Sequence, residues 1–152
     1  MSQMSKPWSA SIKSNLWLKG LGKSLCSHGC SRDGAAPQHT FGSNPKGYMV
    51  LTREGRMIGI ITAENRQSGS SDANRVVALH KSMFAYSGKY RIEGNDFITA
   101  VDVSWNEAWN GTEQRRHFKF EGEKLILETP PAPSTLQPGK TVVARVVWAR
   151  EK

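Results

Sequence analysis

No stretch of this chain approaches the roughly 18 consecutive uncharged apolar residues that a membrane-spanning helix needs, so such a span is excluded. Cysteine is nearly absent: its two copies fall in Cys26-Ser27-His28-Gly29-Cys30. Even with His39 as a further ligand, that spacing matches no common zinc unit, and no metal is expected. Two free thiols are the expectation, a disulfide the alternative, in a reducing, cytoplasmic setting. Also missing are a glycine-rich phosphate loop, a Ser-His-Asp arrangement and a metal-ligating cluster. No catalytic signature is left to read, and no cofactor is expected.

Acidic residues are missing from one end only, for none precedes Asp33. The net charge of +8 therefore divides unevenly. Residues 1–45 hold five Lys/Arg against one Asp, whereas residues 46–152 hold sixteen against twelve. The longer part is only mildly basic, with signs alternating along its length. Arg115, Arg116 and Lys119 form one short cluster. A nucleic-acid groove wants a basic stripe with interleaved exposed aromatics, so no nucleic-acid partner is expected.

The 152 residues, 38% apolar and 22% charged, suit one soluble domain with a real core. Residues 1–14 read as a poorly ordered arm, and 15–152 as a single domain. The Ser/Lys bias of the arm resembles an organellar presequence but lacks its Arg-rich amphipathic helix. Ser24 to Thr40 reads as loop.

After Pro45 hairpins follow one another. Gly47–Arg53 and Arg56–Thr62 are strands turning at Glu54-Gly55, where glycine supplies positive φ. Asp72–Phe84 shows helical spacing, with Val76, Leu79 and Met83 on one line and Ser71 or Asp72 as N-cap. Ala85–Ile92 and Asp96–Trp105 flank Glu93-Gly94-Asn95. Thr112–Phe120 and Lys124–Glu128 flank Glu121-Gly122-Glu123, and Thr141–Arg150 comes last. An eighth strand near Leu16–Leu21 would close the sheet. The expected fold is all-β: an antiparallel up-and-down barrel of about eight strands with one short helix after the third strand. Such barrels enclose room for one small ligand.

The blocks GYMVLTREGRMIGIITAENR, SMFAYSGKYRIEG, VDVSWNEAWNGTEQRRHFKFEGEKLILETPP and VVARVVWAR resemble, in order and spacing, the lipocalin-like domain family of small bacterial and fungal proteins. The resemblance covers about residues 41–152. It implies a compact barrel with an internal cavity, mostly without assigned activity; some fungal relatives of the broader class act as cyclases or isomerases on polyketide or terpenoid intermediates. The N-terminal third departs from the usual Gly-x-Trp opening, because Asn15 stands where Gly would precede Trp17.

Strand alternation points Phe97, Thr99, Val101, Val103 and Trp105 inward, with Ile98, Ala100, Asp102 and Ser104 outward. By the same reasoning Tyr86, Tyr90 and Ile92 face in, as do Thr112, Gln114, Arg116, Phe118 and Phe120. Val142, Val146 and Trp148 complete the wall. The candidate ligand-binding residues are Tyr86, Tyr90, Thr99, Trp105, Gln114, Arg116, Phe118 and Trp148. Arg116 would either grip a ligand carboxylate or enolate, or pair with Glu113, Glu128 or another acid. Trp105 and Trp148 would otherwise be core plugs, and the tyrosines would bury rings while bonding a loop. His117 falls on the outward phase, and His80 lies on the helix's apolar side. The expected function is binding of a small apolar or amphipathic molecule. A cofactor-free cyclase or isomerase of secondary metabolism is the rival, and a filled interaction module is a third reading.

Overall fold

A computed structural model describes residues 39–68, 72–133 and 141–150 in full, and 16–27 as backbone. The expected arm, His28 and Cys30 lie outside the described residues, as does the side chain of Cys26. The chain runs β1 (Leu16–Ser27), β2 (Lys46–Leu51), β3 (Arg56–Thr62), α1 (Ala73–Lys81), β4 (Met83–Glu93), β5 (Asp96–Ser104), a 3₁₀ turn (Glu107–Trp109), β6 (Glu113–Glu121), β7 (Lys124–Glu128), β8 (Ala132–Pro133) and β9 (Thr141–Arg150). All strands belong to one sheet in the order β1-β2-β3-β4-β5-β6-β7-β9-β8, and every pairing is antiparallel. β1 also pairs with β9, from Leu18 opposite Arg150 to Ser27 opposite Val142.

The three expected hairpin turns are present. Gly55, Gly94 and Gly122 each take positive φ, at 82°, 59° and 59°, which a side chain would resist. β1 departs from expectation by running on through Ser27 rather than giving way to loop after Leu21. The backbone of β9 supplies its partners, and the register shifts between Gly20 and Gly22. Glycines at a bulge erase the side-chain alternation that marks a strand in sequence.

The helix begins where expected, with the Asp72 carboxylate accepting from the Asn74 amide at 3.0 Å. It ends earlier than expected. Arg66 reaches its last turn, donating to the Leu79 carbonyl (2.9 Å) and the Ser82 hydroxyl (3.1 Å). Met83 and Phe84 belong to β4, where Phe84 stands opposite Ile61. No helical side chain is buried, so the apolar stripe does not dock as its spacing suggests.

Inside the sheet, Met49, Met57, Ile61, Phe84, Tyr86, Phe97, Val101, Leu125, Leu127 and Trp148 form a buried cluster. Ile98 is buried on the other face, opposite Arg91 and Arg115 in register. Around it Arg91 pairs with Glu113 (2.6 Å) and Glu93 (2.8 Å), and Arg115 pairs with Asp96 (2.6 Å) and Glu93 (3.2 Å). The apolar stems of the arginines suit them to cover an isoleucine.

Two inward assignments on β4 and β5 fail. Val103 is 65% exposed, because β5 carries one extra residue: Val101 stands opposite Gly88 and Val103 opposite Ser87, so Asp102 bulges out. From that point the alternation is reversed. Asp102 is held outside by the Ser87 hydroxyl at 2.6 Å and by Arg56, which together keep its carboxyl below the usual range. Ile92 is 45% exposed for a different reason. The ladder to β3 ends at Arg56 opposite Lys89, so the tip of β4 projects past its neighbour.

A Cβ on Gly88 would overlap the Ala100 carbonyl oxygen across the bulge. Gly88→Ala is therefore expected to cost about 1–3 kcal/mol, since the clash is with backbone that can yield only by moving a strand. Urea unfolding measures it; an unchanged midpoint would show that the bulge relaxes freely.

Candidate functional site

A cavity of about 170 Å³ lies within the sheet. An apolar cavity of about 150 Å³ is enough to take up benzene, so this volume is on the scale of one small ligand. Its wall comes from six strands and the loop after β5. Met49, Met57 and Gly59 line one side, Phe84 and Tyr86 the next, and Leu127, Thr129, Ala144, Val146 and Trp148 the opposite side. Trp105, Trp109 and Arg116 complete it. At Gly59 an added Cβ would meet nothing closer than the Met57 Cε at 3.4 Å, so the glycine opens space.

The aromatic side is a chain of edge contacts. Trp109 meets Tyr86 at 5.4 Å between centroids and Trp105 at 4.9 Å, both nearly perpendicular. Phe84 lies 6.1 Å from Tyr86 and 6.3 Å from Trp105. The short 3₁₀ turn places Trp109. Asn106 caps it through its side-chain oxygen to the Ala108 amide (3.2 Å), and the Trp109 carbonyl accepts from the Thr112 hydroxyl (2.7 Å). Backbone bonds between Val101 and both Gly111 (3.0 Å) and Thr112 (2.9 Å) fix this loop to β5.

Arg116 is the charged group of the wall. Its guanidinium carbon sits 5.6 Å from the Trp109 ring centre, a cation–π contact. It donates to the Arg115 carbonyl at 2.8 Å and the Gln114 amide oxygen at 3.1 Å, both neutral acceptors. Among the described residues no carboxylate lies within 4.0 Å of it. The two acids named as its counter-ions are engaged elsewhere: Glu113 with Arg91, and Glu128 with Arg145 at 3.6 Å. Burial draws Arg116 below its ordinary value and pushes the Tyr86 phenol up, each tempered by the other. An arginine nevertheless stays cationic at neutral pH. The indole nitrogens of Trp105 and Trp148 are buried with no acceptor among the described residues.

Of the candidate residues, the cavity wall thus brings together Tyr86, Trp105, Arg116 and Trp148. The other four stand off it. Tyr90 stacks on Phe97 at 5.1 Å and donates to the Thr52 carbonyl at 3.0 Å. Thr99 is fully buried with its hydroxyl unpartnered among the described residues, and Phe118 packs on Phe120 at 5.8 Å. Gln114 supports Arg116 from behind. Thr112, expected inside, is exposed in the loop it helps to fix. His117 lies outside, 3.5 Å from Asp96, while the ring of His80 on α1 comes within 6.2 Å of Trp105. Sequence reasoning missed Met49 and Met57, and placed Trp109 only on a loop beside the mouth of the barrel. The alternation of Met49 with Leu51, and of Met57 with Gly59 and Ile61, was the available signal for the first two.

Arg116→Met replaces a half-buried charge, without a counter-ion among the described residues, by an apolar chain of similar length. The expected result is a gain of about 0.5–2 kcal/mol, as for other removals of functionally strained groups. Chemical denaturation reads it directly, and a loss of stability would mean that the two hydrogen bonds of Arg116 hold β6 in place.

Among known proteins, the lipocalin-like domain family matches residues 24–151 of this chain. No curated protein is similar enough to match it.

Proposed function

This chain belongs to the lipocalin-like domain family, and on that premise we propose that its sheet is a closed barrel binding one small apolar or amphipathic molecule. The pairing of β1 with both β2 and β9 supports closure. The observation that carries the binding reading is the cavity itself, walled by methionine, aliphatic and aromatic side chains with a few polar groups. The helix α1, with His80 near Trp105, would lie at one mouth as a lid.

Binding would be driven by burial, with limits. A ligand losing about 200 Å² of apolar surface gains about 5 kcal/mol. Alone that is a dissociation constant of a few tenths of a millimolar, at about 1.4 kcal/mol per tenfold. Orientation and further affinity would come from the polar groups of the wall. A cyclase or isomerase would use the same chamber, with Tyr86 and Arg116 polarising a carbonyl. It would also want a group to accept a proton, and no carboxylate, imidazole, thiol or amine lines the cavity among the described residues. Binding without turnover is therefore the preferred reading.

Gly59→Leu, whose Cβ would meet only the side chains of Met57 and Met49, tests the site. Toluene binding followed by amide NMR shifts is expected in the native protein and to weaken at least tenfold in the variant. Equal binding by both proteins would place the ligand elsewhere.

A further inference from the structure

Resting on the reading of the cavity as the ligand site, we propose that its ligand is a small monocarboxylate: one ring or short branched body carrying a single ionised carboxyl that is held by Arg116. The wall is rich in donors and poor in acceptors. The guanidinium of Arg116 and the phenol of Tyr86 belong to residues of the wall, whereas no carboxylate, imidazole or amine does among the described residues. The Thr129 hydroxyl already accepts from the Ala144 amide at 2.9 Å, and the Gln114 oxygen accepts from Arg116. An occupant that satisfies these groups must bring acceptors with it.

Charge narrows the class. Arg116 has no carboxylate within reach among the described residues, so a neutral carbonyl would leave the cation uncompensated. A monoanion balances it, and the planar fork of arginine matches a carboxylate with two parallel hydrogen bonds. The Tyr86 hydroxyl, which has no hydrogen bond within the described residues, is the second donor. It lies close enough for Arg116 to influence its ionisation. A phosphate fits less well, because one arginine leaves its second charge unbalanced and the remaining wall is apolar. A cavity of about 170 Å³ sets the size at one ring or a short chain.

Benzoate and benzamide share shape and differ in charge, so the pair isolates this claim, with toluene as the control for the cavity. Titration calorimetry on the native protein is expected to show benzoate at least tenfold tighter than benzamide. The ratio should fall to near one in Arg116→Gln, with toluene binding retained, and Tyr86→Phe should reduce it severalfold. Arg116→Lys keeps the charge without the fork, and should give an intermediate ratio if the glutamine variant does not fold. A ratio near one in the native protein, or a high ratio that survives in Arg116→Gln, overturns the carboxylate assignment while toluene binding leaves the cavity reading intact. Failure of all three compounds to bind overturns both.

Discussion

The close approach of Gly88 to the Ala100 carbonyl governs how the rest of the molecule is arranged. In an antiparallel sheet every side chain is committed to one face by the two-residue period, and only an extra residue can change that commitment. At Gly88 there is no Cβ to hold the strands apart, and Asp102 is accommodated as the surplus residue of β5. Before the bulge Phe97, Thr99 and Val101 face the interior; after it Val103 faces out, and the chain leaves the sheet toward Trp105 and Trp109. The Trp105 amide bonds the Ala85 carbonyl at 2.8 Å, which anchors this departure. The aromatic side of the cavity is built from the residues that follow.

The same alternation gives two neighbouring arginines opposite circumstances. Arg115 points outward into a lattice with Asp96 and Glu93, beside Arg91 and Glu113. Exposed pairs of this kind contribute little each, and salt weakens them further. Their consequence is to occupy the acids of that face. Glu113 cannot serve Arg116, because its carboxylate is on the other side of the sheet with Arg91. Arg116 enters an apolar chamber where the same charge is expensive to hold, with only neutral oxygens and a tryptophan face to offset it. Electrostatics here is thus divided by the sheet into a neutralised exterior and an uncompensated interior.

Much of the fold was legible because hairpins write themselves twice, once as alternating apolar residues and once as a glycine between them. β3, β7 and β9 run as their residues suggest. What escaped had no local mark. β1 is interrupted by glycines, so nothing in its side chains announces a strand. The bulge at Asp102 depends on a contact with Gly88 fourteen positions away. At the site, alternation identifies a face but not a height. Tyr90, Thr99, Gln114 and Phe118 point to the expected side, yet stand above or below the opening that Gly59 and Ala144 leave. Trp109 sits on a loop, where periodicity carries no information at all.

The composition of the cavity is harder to explain by packing than by occupancy. Methionine at 116 would line the same space without a charge to satisfy. A buried donor left unpaired costs about 1–3 kcal/mol, against a total stability of about 5–15 kcal/mol for an ordinary domain. A guanidinium without a carboxylate partner among the described residues therefore represents a large sacrifice if the chamber is only a core. The remainder of the interior follows the opposite rule, with methionine, isoleucine, leucine and phenylalanine and hardly a polar atom. Against that background Arg116 is the charged residue of the cavity wall, with only neutral oxygens as hydrogen-bond acceptors. An acceptor-rich occupant relieves that cost in the bound state, and the free energy so released adds to whatever its apolar body gains by burial.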